Sequence, residues 1–232
     1  MESVLAHNER AATTWGSGGR DYDHISEGVA DALAHVVSRI LPQPGERFLD
    51  VATGTGWTAR LLASRGAAVT GVDIGSGVIE AAKALAPDID FRVGDAEALP
   101  FDENSFDAVT STFGVMFVAR PEVAARELAR VCKSGARLGL VTWVPGGTVA
   151  GIFQTMRPYM PPLPPNPPLL RSNGGARRGF ANCSAMPLTY ASKPVRRRCG
   201  CPMADRCGSF SSKATVRQRR SPPAAMLSDE KA

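Results

Sequence analysis

The 232-residue sequence is poor in several things that define whole classes of protein. It has no run of about 18 apolar residues, which excludes a membrane-spanning helix. Its opening residues carry no basic stretch followed by an apolar one, so no secretory leader is expected and a cytoplasmic location is. His7, His24 and His35 are the only histidines, which leaves few candidates for a general base. Hydrophobic residues make up 44% and charged residues 21%, an ordinary globular balance. Collagen, a low-complexity polymer and a wholly disordered chain are thereby excluded.

Residues 1–150 hold 13 Lys and Arg against 19 Asp and Glu, a net −6, whereas residues 151–232 hold 14 against 3, a net +11. Proline divides 6 against 12 and cysteine 1 against 4 over the same two parts. Two stretches of different physical character are joined. The basic charge lies outside the part that reads as folded, so specific nucleic-acid recognition is not expected.

The first part alternates helix and strand. Ser26 reads as an N-cap, and Val29, Leu33, Val36, Val37, Ile40 and Leu41 then share one helical face. A proline-glycine stretch at 42–45 stops that helix. Strands are expected over 47–52, 68–73, 89–94, 106–111 and 137–143. Short helices through Ala59–Leu62 and Val78–Ala86 separate the first three. A further helix starts at Pro121 with Ala124, Leu128, Val131 and Cys132 buried, and a turn at Lys133-Ser134-Gly135 follows it. This alternation implies right-handed crossovers and a doubly wound, mostly parallel α/β sheet of Rossmann-like type. Ligands of such sheets bind beyond the carboxyl ends of the strands, so the informative residues lie at the strand tips.

Three tips carry a pattern. After the first strand, Gly54 and Gly56 let backbone amides approach a ligand, and the next helix presents its positive end. A tight turn would use two glycines as well. Asp73, ending the second strand, can accept from both hydroxyls of a ribose, or can cap the following helix. Asp95 and Ala96, after the third, can meet an adenine amino edge, or form a surface turn. Together they make a nucleoside-shaped set. Gly54-Thr55-Gly56-Trp57-Thr58-Ala59 also satisfies the dinucleotide-binding G-x-G-x-x-G/A pattern, so an NAD(P)-binding oxidoreductase is a real alternative. Against it, the chain offers no Tyr-x-x-x-Lys pair, and Asp50 immediately before the loop suits an ammonium and a sulfonium better than a pyrophosphate.

These stretches resemble a family. Phe48-Leu49-Asp50-Val51-Ala52-Thr53-Gly54-Thr55-Gly56-Trp57, Gly71-Val72-Asp73 and Gly94-Asp95-Ala96-Glu97-Ala98-Leu99-Pro100-Phe101 are similar to class I S-adenosylmethionine-dependent methyltransferases of the ubiquinone/menaquinone-biosynthesis (type 11) branch. Ser105-Phe106-Asp107-Ala108-Val109 and the stretch from Arg130 to Leu138 extend the likeness, which covers roughly residues 11–160. The resemblance implies S-adenosyl-L-methionine as cofactor and a small-molecule acceptor. It implies that Asp50 and the backbone of Ala52, Thr53, Gly54 and Gly56 hold the methionine end. Asp73 would bind the ribose, Ile74 the adenine face, and Asp95 with Ala96 the adenine edge. Thr112 and Phe113 would lie beneath the methyl group, and Tyr22 would close over the cofactor. Ala52 replaces the usual first loop glycine, and Ser134-Gly135-Ala136 the usual Pro-Gly-Gly. Among the histidines, His35 reads as structural and His24 is the base candidate by its place near Tyr22. No catalytic residue and no metal site is assigned.

The expected division is a methyltransferase core with N-terminal cap over 1–160 and an irregular, disordered, Pro/Arg-rich basic tail over 161–232. A further helix is expected to begin near Gly151. Beyond it, the prolines of 161–168 permit neither helix nor interior strand, and no apolar periodicity follows. Cys199-Gly200-Cys201 and Cys207 lack zinc-ligand spacing. The C-terminal strand hairpin usual in the family is expected to be missing, leaving the fifth strand's edge exposed and a non-catalytic remnant as a third reading. Non-periodic Arg/Pro/Ser/Cys-rich sequence is also what another frame of GC-rich DNA encodes. Translating the gene in its other two frames tests a frame change near 161–168, and the idea fails if neither frame shows strand-like alternation.

Overall fold

A computed structural model describes residues 4–143, 147–159, 192–196 and 211–215. Three helices precede the sheet: α1 (Glu9–Gly16), α2 (Tyr22–Glu27) and α3 (Ala30–Ile40). The sheet and its crossovers follow as β1 (Arg47–Val51), α4 (Trp57–Ala63), β2 (Ala68–Asp73), α5 (Ser76–Leu85), β3 (Asp90–Val93), β4 (Phe106–Thr112), α6 (Pro121–Val131), β5 (Cys132–Thr142) and α7 (Thr148–Met156). Strands β6 (Ser192–Arg196) and β7 (Ser211–Thr215) complete it. The order across the sheet is β3-β2-β1-β4-β5-β7-β6. β1 to β5 run parallel, while β7 pairs antiparallel with both β5 and β6. The chain order therefore reverses between β1 and β4, the place where sheets of this type form a ligand crevice at the carboxyl ends of their strands.

Strand alternation sorts the core. Phe48 and Ala108 face α3 and α4, where they pack with Val36, Val37, Ile40 and Leu62. Leu49, Val51 and Val109 face the other side, against Leu128 and Val131 of α6. Phe91 packs with Ala59, Ile79 and Ala82 under α4 and α5. Its ring lies so close to β2 that a Cβ at Gly71 would come within 2.5 Å of it.

Four local expectations are corrected. Ser26 lies inside α2, and α3 begins instead after Val29. Leu41 leaves the apolar stripe: it takes φ 53° as the C-cap of α3 and is exposed, since the following Pro42 disfavours right-handed helix there. Cys132 already belongs to β5, and the expected turn at 133–135 is an irregularity within that strand. There the register with β4 jumps from Phe106↔Cys132 to Ala108↔Arg137, Gly135 takes φ 77°, and Lys133 Nζ reaches Asp107 at 2.7 Å.

The fourth correction concerns the sheet's end. The strand hairpin expected to be missing is present as β6 and β7, with Leu140↔Thr215 to Thr142↔Lys213 covering part of the β5 edge. Ser-Lys-Pro-Val-Arg and Ser-Ser-Lys-Ala-Thr lack the alternation that announces a half-buried strand. The pairing is main-chain to main-chain, and the proline, Pro194, falls on the outermost strand, where a missing N–H is tolerated. The rest of the expected tail, with its cysteine and arginine clusters, lies outside the described residues.

Candidate functional site

The loop between β1 and α4 is bent by three left-handed residues, Ala52 (φ 55°), Gly54 (φ 57°) and Gly56 (φ 82°). The two glycines serve different ends. Gly56 is buried, and a Cβ there would lie 2.6 Å from the Phe91 ring, so its smallness is a packing requirement. Gly54 is half-buried, and a Cβ there would meet only the ring of Tyr22, at 3.5 Å. It is the glycine beside which a ligand can pass.

Asp50 sits differently from expectation. Its carboxylate is 0% exposed, with Thr53 Oγ1 donating to one oxygen and Thr110 Oγ1 to the other, each at 2.7 Å. The Ala59 backbone N–H in the first turn of α4 donates to it as well. Burial pushes its pKa up to about 6 from the usual 3.8, against the pull of these donors. Asp50 therefore braces the loop and the start of α4 from below rather than facing the crevice, because β1's alternation turns it toward the α4 side.

Asp73 is 7% exposed and wires two tips together. Its Oδ2 accepts from Gly54 N and its Oδ1 from Gly75 N, both at 2.9 Å. Burial raises its pKa, opposed by the N–H groups of Gly75, Gly54 and Ile74. Tyr22 lies over the same spot, and its phenol is raised by burial and by the negative charge of Asp73. Next to Tyr22, Asp23 accepts from Thr55 Oγ1 and from Arg60, each at 2.7 Å, tying α2 to the loop and α4.

Asp95 is 1% exposed and is held by the N-terminal segment. Its Oδ2 accepts from Asn8 Nδ2 at 2.8 Å and Leu5 N at 3.2 Å, and its Oδ1 from Glu97 N at 2.9 Å. Glu97 is a second buried acid. His7 Nε2 lies 3.0 Å from its Oε2, and Arg120 donates to it through Nε at 2.6 Å and through its backbone N–H at 2.8 Å. Burial works to raise the pKa of Glu97, but the donors Arg120, His7 and Asn8 outweigh it and the net shift is down.

At the fourth tip, Thr112 Oγ1 and Thr58 Oγ1 lie 3.0 Å apart. Phe113 takes φ 61°, rare for an aromatic residue, and stacks on Trp143 with centroids 4.2 Å apart. A Cβ at Gly114 would fall 2.1 Å from that of Ala52, so the β4 tip and the first loop meet backbone to backbone. His24 is exposed on α2, 3.8 Å from Glu27. His35 is half-buried on α3, its pKa lowered by burial and by Arg39.

The sequence-predicted residues thus stand at neighbouring strand tips in two classes of burial. Tyr22, Ala52, Gly54, Ile74, Ala96 and Thr112 are half-buried, while Asp50, Thr53, Gly56, Asp73 and Asp95 are buried. Asn8, Glu97 and Arg120 were missed. Their partners are about 20 to 90 residues away in sequence, and no local periodicity encodes such contacts. The one available signal was Glu97 standing two residues beyond Asp95.

Residues 49–140 match a family model described as a methyltransferase domain, of type 11. Over that stretch the chain is similar to methyltransferases. A demethylmenaquinone methyltransferase of Renibacterium salmoninarum is 47% identical over 103 residues, 44% of this chain and 44% of that protein. An uncharacterised protein of Mycobacterium tuberculosis (strain H37Rv) is 40% identical over 153 residues, 64% of this chain and 56% of that one. The chain spans about half the length of the curated relatives it matches. Among solved structures, a SAM-dependent methyltransferase of Methanosarcina mazei superposes with TM-score 0.56 at 20% identity, over 80% of this chain and 98% of that one. The [4+2]-cyclase SpnF superposes with TM-score 0.55 at 21% identity, over 81% and 80%. The fold alone therefore does not name the reaction.

Proposed function

We propose that the protein binds S-adenosyl-L-methionine in this crevice and transfers its methyl group to a small-molecule acceptor. The observation that carries the reading is Asp73: a buried acid at the β2 tip, joined to Gly54 and Gly75, beneath Tyr22, one strand away from the point where the strand order reverses. The donor set fits the cofactor. A carboxylate offers about four acceptor positions, so the backbone donors to Asp73 leave room for a ribose hydroxyl. Ile74 and Ala96, both half-buried, supply an apolar face and a backbone edge for the base. The half-buried Gly54, where a Cβ would meet only the Tyr22 ring, gives the backbone edge beside which the methionine end would lie.

When bound, the cofactor supplies a methyl group already activated by its sulfonium. The chain then has to position and to exclude water. Tyr22 covers the Gly54 loop, and the stacked Phe113 and Trp143 give the β4 and β5 tips an apolar wall. No titratable side chain is assigned as a general base. The matched family model and the Renibacterium relative are methyltransferases, which does not favour the nicotinamide alternative.

Isothermal titration with S-adenosylhomocysteine tests the reading. The wild-type chain is expected to bind it, and Asp73→Ala to weaken binding by about 1.5–3 kcal/mol, roughly 10- to 100-fold. No heat from the wild type at millimolar ligand overturns the proposal and favours a non-catalytic remnant. Unchanged affinity in a folded Asp73→Ala variant shows the ribose misplaced.

A further inference from the structure

The N-terminal segment does more than cover the sheet. Three of the roughly four acceptor positions of Asp95 are occupied: one by Glu97 N, and two by Leu5 N and Asn8 Nδ2. One position on Oδ1 has no partner among the described residues. The Asn8 side chain is itself buried, and its amide stands between two buried acids, since it acts on Glu97 as well as Asp95. Glu97 in turn is anchored by Arg120 at the start of α6. The rotamer of Asp95 is thus set from outside its own loop, by a residue 87 positions earlier.

We propose that Asn8 is a positioning residue for base recognition: it holds the Asp95 carboxylate where its remaining acceptor meets the exocyclic amino group of a purine. This rests on the cofactor reading above. A carboxylate free to turn would accept hydrogen bonds from water or from Arg120 and would lose discrimination for an amino group over a carbonyl. Held by Asn8, it favours a donor and repels a carbonyl oxygen. The N-terminal strap therefore takes part in choosing the base.

The test compares S-adenosylhomocysteine with its deaminated analogue S-inosylhomocysteine, in which the amino group is replaced by a carbonyl. Titrations use the full chain, Asn8→Ala, Asn8→Gln and, as a control, Asp95→Asn, with urea midpoints alongside. The wild type is expected to prefer the adenosyl ligand by about tenfold or more, the worth of one hydrogen bond with its mismatch. Asp95→Asn is expected to abolish that preference, and Asn8→Ala to reduce it to within about threefold of unity. Asn8→Gln, which keeps an amide donor, serves if the alanine variant does not fold and is expected to move the ratio the same way by less. An equal loss of affinity for both ligands in the Asn8 variants means a merely structural wall and overturns the assignment. So does a full preference in the Asn8 variants when Asp95→Asn has lost it. A preference unchanged in Asp95→Asn removes Asp95 from the base site and Asn8 with it. Absence of any binding by the wild type is a distinct result, which sinks the cofactor reading first.

Discussion

A carboxylate shut away from water and held by two hydroxyls and a helix amide gives up its proton late. Because the Asp50 pKa is raised on folding to about 6, the folded state binds the proton more tightly than the unfolded chain does. Its contribution to stability is full below the unfolded value of about 4 and is lost as pH rises through about 6. Asp50→Asn lacks this titration. Urea unfolding of the two proteins should therefore show the wild type losing ground to Asp50→Asn between pH 4 and pH 6, by up to about 3 kcal/mol. Parallel pH profiles would mean that Asp50 is ionised in both states with similar ease. Residue identity at the strand tips was legible from the sequence, but solvent exposure was not. Asp50, Asp73 and Asp95 look alike as letters, and only the alternation of each strand and the packing above it decide which one braces and which one faces a ligand.

Among the elements, α1 and α2 were not readable in advance. Their seat is a seam of glycines: a Cβ on Gly75 would lie 2.7 Å from Gly16 N, and one on Gly77 would lie 2.4 Å from Gly16 O. The end of α1 is thus pressed backbone to backbone onto the start of α5. Gly77→Ala, favourable for an isolated helix, should here push α1 away. Amide exchange in α1 should accelerate while β1 and β4 keep their protection, and Trp15, whose ring lies 5.0 Å from that of Phe117, should become more exposed. Unchanged exchange in α1 would show that the seam can give. The parallel strands were legible, because Phe48-Leu49, Val69 and Ala108-Val109 sit on apolar runs bounded by turns. β6 and β7 were not, because hydrogen bonding to an existing edge does not require side-chain alternation.

For the molecule as a whole, the edge of β5 is the point of vulnerability. Ala214 pairs with Val141 on one side and Lys193 on the other, so β7 stands between two neighbours. Ala214→Pro removes a main-chain donor from that position and should cost about 1–3 kcal/mol. A domain of this size should then melt about 2–4 °C lower for each kcal/mol lost, with more of the protein recovered as aggregate. A melting temperature equal to that of wild type would mean that the fold does not depend on this pairing.

The same pairing sets an order of events at the ribosome. Val141 and Ala214 are partners across about 70 residues of intervening chain. The five parallel strands emerge first, and for several seconds at ordinary synthesis rates the last of them has an unpaired flank. Any factor that shields nascent chains would find its target there, and slowing translation beyond residue 142 would lengthen that interval without altering a single contact of the finished protein.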